Sequence, residues 1–223
     1  MKLSDSDKNE VNKRYTNRFN EFGYSPKSLG WDKGKQGLRS QILTSQYDFE
    51  GKRILDIGCG FGDLNIVLQQ KAKHYSYFGV DMVDVLVQAG KELYKKPEIE
   101  FYTGDFLDKL FTGEFDYAIA SGMFNFKLKD GDNYEFIENV MQKALQLCKD
   151  GIAFDFLSDK VDYQKEITFH SSPEKILAIA YKFSRNIILR NDYMPFEFSV
   201  FINKNDSFSK EDTVFNAFKN KSG

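Results

Sequence analysis

The chain of 223 residues is poor in the side chains that usually announce a chemistry. It has 2 cysteines and 2 histidines, namely Cys59, Cys148, His74 and His170. Two thiols cannot build a disulfide framework, and with so little His they make no zinc site alone, so no metal is expected. An excess of basic charge is also missing. Lys+Arg total 31 against 33 Asp+Glu, a net charge of −2. A dedicated polyanion binder needs more cations than acids, so no nucleic-acid partner is expected. No apolar run approaches the roughly 18 residues that span a bilayer, so no membrane partner is expected either. The opening MKLSDSDKNE lacks the apolar stretch of a secretory leader. With reduced thiols, the expected setting is the cytoplasm. No internal repeat is visible.

What the chain does have is apolar and aromatic surface. Hydrophobic residues make up 41% and aromatics 16%, with 22 Phe and 12 Tyr. That surface can offset chain entropy over one full-sized domain. Residues 5–20 read as a helix, FGYSPKSLGWDKGKQG as a loop, and residues 35–47 as a second helix. From Arg53 the pattern alternates. RILDIG, YSYFGVD, IEFYTGD, FDYAIASG and GIAFDFLS read as strands, with helical stretches after the first, second and fourth. Such alternation predicts a parallel sheet covered on both faces. SSPEKILAIAYK has Ser caps and an early Pro, a helix start. FSRNIILRND and PFEFSVFINK then predict an antiparallel strand pair. The organisation expected is an N-terminal helical cap over 1–49, a main domain over 50–204 and a polar tail over 205–223.

The informative stretch is LDIGCGFGD, residues 55–63, between a predicted strand and a predicted helix. Glycines let the backbone turn sharply and approach a ligand closely. A dinucleotide loop reads G-x-G-x-x-G, because a pyrophosphate rests on the helix end. Here Gly58, Gly60 and Gly62 are spaced G-x-G-x-G, flanked by Asp56 and Asp63. Carboxylates beside a pyrophosphate repel it. They suit a ligand with a positive amino group and no phosphate, a description that fits S-adenosylmethionine (SAM). Asp81 ends the second strand, where a carboxylate accepts two hydrogen bonds from a ribose diol; it also suits a helix cap. Asp105, in TGDF, follows the third strand within reach of an adenine amino group, and Met82 or Phe106 can sandwich the ring. Cys59 reads as a small loop residue, since no His is near to lower its pKa.

ILDIGCGFGD, the acid of GVDM, the acid of TGDF and the final antiparallel pair together resemble the class I SAM-dependent methyltransferases over roughly residues 50–203. The resemblance implies an α/β, Rossmann-like seven-stranded sheet with the last strand antiparallel and helices on both faces. It implies SAM as cofactor and S-adenosylhomocysteine (SAH) as product. Asp56, Gly58 and Gly60 would hold the methionine moiety, Asp81 the ribose and Asp105 the adenine. Cys59 and Asp63 belong to the same bend, and Ser121, after the fourth strand, joins the cofactor set.

The acceptor is a small molecule on this reading. A leading segment that folds over the cofactor is common in such enzymes, which implies a lid carrying Arg14, Arg18, Tyr24, Lys27 and Trp31. Trp31 between Gly30 and Gly34 suits a closing lid; the alternative is a surface helix whose Trp plugs the core. Arg39 either pairs with the methionine carboxylate or faces water. SGMFNF lacks the Asn/Asp-Pro-Pro-aromatic pattern of base and glutamine methylation. Its Asn125 points toward the acceptor side, and RNDYMPFEF adds Arg190 and Tyr193. A base is needed only if the acceptor must lose a proton. His170 and Tyr24 are the catalytic candidates, with Asp155 a further option. A phosphate or carboxylate needs only a cationic anchor, and the Arg14, Arg18, Lys27 and Arg39 cluster leans that way. FGYSPKSLGW and RNDYMPFEF look like a bacterial subset found with surface-polysaccharide biosynthesis, which implies O-methylation of an anionic or sugar acceptor for capsule. A nicotinamide-dependent oxidoreductase and a non-catalytic partner of another enzyme stay open, as does a homodimer.

Overall fold

The structure is a computed structural model that describes residues 2–31 and 35–205. The expected tail, apart from Asn205, and Gly34 of the expected lid lie outside the described residues. Helix α1 (Asp5–Phe22) starts where the Ser4 side chain accepts the Asp7 N–H, with Asp5 and Asp7 in the first turn to complement the helix dipole. The segment expected as a loop contains a 3-10 turn at Pro26–Leu29, because Ser25 caps it and Pro26 fixes its first position. Helix α2 (Gln36–Leu43) follows, shorter than the sequence suggests.

Strands β1 (Lys52–Ile57), β2 (Tyr75–Asp81), β3 (Ile99–Thr103), β4 (Phe115–Ala120), β5 (Cys148–Leu157), β6 (Asn186–Arg190) and β7 (Glu197–Asn203) form one sheet of seven. Helices α3 (Leu64–Lys71), α4 (Asp84–Leu93), α5 (Asn133–Leu147) and α6 (Pro173–Ala180) connect them. The order is β3-β2-β1-β4-β5-β7-β6. β1 to β5 pair in parallel, while β7 runs antiparallel between β5 and β6. The chain leaves β1 toward β3 and returns to β4 on the other side. The switch point therefore lies between β1 and β4, where open α/β sheets bind ligands.

Side chains of β1 alternate between faces, as a strand requires. Leu55 and Ile57 pack with α5 and α6 residues such as Val140, Ala144 and Ile176. Ile54 packs on the opposite side with Ile42 and Leu43 of α2 and Leu68 of α3. Both faces are covered, and β1 is buried from Ile54 to Ile57. A third, smaller cluster joins Phe61, Val83 and Leu86 to Val11, Tyr15 and Phe19 of α1. It fixes α1 across the ends of β1 and β2. Among the described residues, no helix is long and apolar enough to cross a membrane.

Candidate active site

Gly58, Gly60 and Gly62 all have positive φ, 72°, 55° and 79°, so the bend after β1 is built from conformations other residues rarely adopt. The Gly58 N–H donates to Val80 O at 2.8 Å, and the Gly60 N–H to Asp81 Oδ2 at 2.8 Å. The other Asp81 oxygen accepts the Val83 N–H at 2.9 Å. Each carboxylate oxygen keeps a further lone pair, so Asp81 can shape the bend and still accept ribose hydroxyls. Burial raises its pKa, opposed by the N–H groups of Val83, Gly60 and Met82. Asp56 lies beneath the bend and accepts the Tyr77 hydroxyl at 2.7 Å. Burial pushes its pKa up to about 7, against the help of Tyr77 and with the charges of Asp81 and Asp63 adding to the rise. Asp63 closes the bend and accepts from Tyr24 Oη at 2.9 Å, Tyr94 Oη at 3.2 Å and Gln36 Nε2 at 3.4 Å. Burial raises it too. Cys59 is buried and free, and burial drives its thiol upward, away from the reactive thiolate.

A cavity of about 150 Å³ opens beside this bend. Among its lining residues are Asp56, Gly58, Cys59, Gly60, Asp63, Asp81, Met82, Asp105, Phe106 and Ser121, so the structure brings the whole expected cofactor set to one place. Asp105 Oδ1 accepts the Leu107 N–H at 2.8 Å, and Lys8 Nζ of α1 lies 2.9 Å from Oδ2. The N-terminal segment supplies another wall through Leu3, Val11, Tyr15, Leu29 and Trp31. A Cβ on Gly60 would meet Leu29 at 3.0 Å, and one on Gly122 would meet the Trp31 ring at 2.5 Å. Gly122 thus makes room for the indole. Asp7 ties α1 down from the other end, accepting the Lys129 N–H at 2.9 Å.

Behind the Trp31 ring lies a buried polar network. The Arg39 guanidinium stacks 3.9 Å from the Trp31 ring centre. It donates from Nε to Glu197 Oε2 at 2.6 Å and from Nη2 to Glu197 Oε1. Arg39 is therefore neither solvated nor spent on the cofactor, which corrects both sequence expectations for it. Asp155 of β5 accepts from Ser121 Oγ at 2.7 Å and from the Gly122 N–H at 2.6 Å.

Several expected acceptor and catalytic residues do not line the cavity. Arg14 is half-buried on α1. Arg18 spends its guanidinium on Lys27 O, while the Lys27 ammonium sits over the Phe22 ring. Arg190 pairs with Asp192 and reaches Ser45. The Tyr193 hydroxyl bonds Ser199 Oγ at 2.8 Å. Asn125 lies beside Gly122, with its Oδ1 buried and unpartnered among the described residues. Tyr24 is 52% exposed, and burial of its hydroxyl beside Asp63 pushes the pKa up to about 12, which makes it a poor base. His170 has both ring nitrogens engaged, Nδ1 with Ser158 O at 2.7 Å and Nε2 with Thr168 Oγ1 at 3.1 Å. Of the expected acceptor set only Trp31 reaches the cavity. The Arg39–Glu197 pair was invisible beforehand, because its partners lie 158 positions apart. Gly122, directly after a strand-end Ser, was the one readable signal for the Trp31 contact.

The donor set fits SAM on its own chemistry. Carboxylates cluster at the bend with neutral donors around them, and a Cβ at Gly58 or Gly60, both at positive φ, would press on the Met123 or Leu29 side chain at 3.2 and 3.0 Å. Residues 54–151 match the family described as methyltransferase domain. "Putative methyltransferase Rv1506c" of Mycobacterium tuberculosis is 26% identical over 157 residues, covering 68% of this chain and 92% of that protein. The rRNA N(6)-adenosine-methyltransferase metl-5 of Caenorhabditis elegans is 28% identical over 118 residues, 50% of this chain and 53% of that protein. Magnesium protoporphyrin IX methyltransferase (ChlM) from Synechocystis PCC 6803 with bound SAM has a TM-score of 0.64 over 92% of this chain and 100% of its own, at 14% identity. The same enzyme with bound SAH also gives 0.64. These likenesses give the fold. Residues 54–151 thus match a methyltransferase-domain family over less than half of the chain, and the chain shares its fold with methyltransferases solved with SAM and with SAH.

Proposed function

We propose that the protein transfers the SAM methyl group to a hydroxyl of a small molecule, with sugar precursors of a bacterial surface polysaccharide as the acceptor class and the cytoplasm as its setting. The observation that carries the reading is the continuity of one cavity from the glycine bend and Asp81 to Ser121, Gly122 and Trp31. In this assignment Asp81 holds the ribose, Asp105 the adenine, and Asp56, Gly58 and Gly60 the methionine end. Residues 1–49 act as the cap, with α1 bonded to the rim through Asp7 and Lys8. A cap tied at both ends favours a small acceptor over a nucleic-acid strand. The net charge of −2 points the same way.

A neutral hydroxyl is favoured over the anionic acceptor that the basic N-terminal residues suggested. Arg14, Arg18, Lys27 and Arg190 stand away from the cavity. The network behind Trp31 carries two carboxyl groups, Asp155 and Glu197, against one guanidinium. Such a balance repels a second anion. The acids at the bend and the methyltransferase match count against a nicotinamide-dependent reaction. Tritiated-methyl transfer to a panel of nucleotide sugars, neutral glycosides, phosphorylated amino acids, carboxylates and rRNA fragments tests the reading. Label is expected in a base-stable ether of a hydroxyl compound. Label confined to RNA, or to a base-labile ester, overturns it.

A further inference from the structure

The reading above, on which this inference rests, leaves one chemical demand unmet. A hydroxyl must lose its proton as it is methylated, and neither His170 nor Tyr24 lines the cavity. We propose that Ser121 takes the proton from the acceptor hydroxyl and that Asp155 receives it through Ser121.

The argument starts from geometry. Ser121 is part of the cavity wall, and its Oγ donates to Asp155 Oδ2 at 2.7 Å. The other oxygen, Oδ1, accepts the Gly122 N–H at 2.6 Å, so the carboxyl is clamped with one oxygen reserved for the hydroxyl. Asp155 is 2% exposed and cannot meet an acceptor itself. It acts as a positioning residue behind Ser121. A serine alone is a weak base. One whose proton is already directed at a carboxylate can accept a proton on its free lone pair while passing its own backward.

The charged and titratable groups facing Asp155 come from three elements. Arg39 of α2 stabilises its ionised form, while Glu197 of β7 is neutralised by that same Arg39. Tyr193, on the turn before β7, stays protonated, its pKa raised chiefly by burial and then by Asp155. Burial raises Asp155 itself, with Arg39, Gly122 and Ser121 opposing the rise. A raised carboxyl is a stronger base than a solvated one, which is the direction the chemistry needs.

The balance closes. The acceptor oxygen forms its bond to the methyl carbon while the carbon–sulfur bond breaks and leaves its electron pair on sulfur. The acceptor proton moves to Ser121 Oγ, and the Ser121 proton moves to Asp155 Oδ2. A hydroxyl, a sulfonium cation and a carboxylate become an ether, a thioether and a carboxylic acid. Asp155 returns its proton to water once the product has left.

The test uses the full chain with the panel named above, followed by pH profiles on the acceptor that wild type methylates. Wild-type kcat/KM is expected to fall on the acid side, as Asp155 becomes protonated. Ser121→Ala is expected to lower kcat/KM on a neutral glycoside by roughly 100-fold or more, the scale of general-base catalysis. Ser121→Thr, which keeps the hydroxyl, restores much of it. Asp155→Asn removes the acid limb of the profile. A second readout needs no turnover. In carboxyl-labelled protein bound to SAH, the NMR titration of Asp155 shifts upward in Ser121→Ala, because a donor to the carboxylate is gone. This keeps the proposal falsifiable should Asp155→Asn fail to fold. Near-wild-type rates in Ser121→Ala, an unchanged acid limb in Asp155→Asn, or an unmoved Asp155 titration each overturn the relay, whereas SAM-loaded enzyme that methylates no hydroxyl compound overturns the underlying reading. Failure to bind SAM at all overturns that reading too.

Discussion

Two groups of carboxyls meet at the same edge of the sheet and are held in opposite ways. Asp56, Asp63 and Asp81 ring the glycine bend. Among the described residues they are met by neutral donors: the hydroxyls of Tyr77, Tyr24 and Tyr94, the amide of Gln36 and backbone N–H groups. Asp155 and Glu197 lie across β4 and β5 from them and share the Arg39 guanidinium. The difference shows what each group is for. Acids set beside an internal cation keep an ionised form within reach in a buried wall, because Arg39 opposes the rise that burial causes in Asp155 and Glu197. Acids left beside one another with only neutral donors raise each other's pKa and store an unmet demand for positive charge. On the proposed function, a sulfonium and an ammonium would meet that demand at the bend, and the cofactor would also be its counter-ion.

The largest effect is expected where the internal cation is removed. Arg39 and Glu197 are 5% and 3% exposed. Arg39→Met strands Glu197 beside Asp155 in a buried site, and losing one partner of such a pair costs about 3–5 kcal/mol. Urea unfolding reads this directly. A midpoint like that of wild type would break the comparison, because the second group of acids would then need no cation.

Removing an acid from the bend should act on ligand and not mainly on fold. Asp81→Ala deletes the acceptor for the Gly60 and Val83 N–H groups and for a ribose diol. SAM binding is expected to weaken by about 1–3 kcal/mol by calorimetric titration, the scale of a charge-assisted hydrogen bond. Unaltered affinity would remove Asp81 from the ribose position.

The contrast between the two groups also marks how far the sequence could be read. The bend was legible because its chemistry is local. Glycines at positive φ, an acid two residues before them and an acid at each following strand end all lie at fixed offsets along a βα repeat. The strands were legible for the same reason, since the short, continuously buried run Ile54–Ile57 and the Ser172–Pro173 helix start are short-range signals. The network behind Trp31 was not, because Arg39, Asp155 and Glu197 are joined only by the pairing of β5 with β7 and by α2 packing behind it. The basic residues of the N-terminal segment misled in a related way. Arg18 and Lys27 satisfy a carbonyl and an aromatic ring within their own segment, and composition cannot say which partner a cation finds first.

The smallest of these effects concerns Asp56, and it is the most specific to an acid without a counter-ion. Burial pushes its pKa up to about 7, well above the ~3.9 of an unfolded chain. The folded, ligand-free protein thus holds the extra proton. The stability this contributes is fully present below about pH 4 and is lost as pH rises through about 7. Cationic SAM favours the ionised form, so its affinity should rise through that same window, by roughly tenfold between pH 6 and 8, with proton release on binding near pH 6. SAH keeps the ammonium but lacks the sulfonium, and its slope should be shallower. Asp56→Asn should flatten both curves. Titrations in buffers of different ionisation enthalpy measure the released proton. A wild-type affinity for SAM that is level across the window would mean that Asp56 is already neutralised, and the bend would lose its distinction from the Arg39 network.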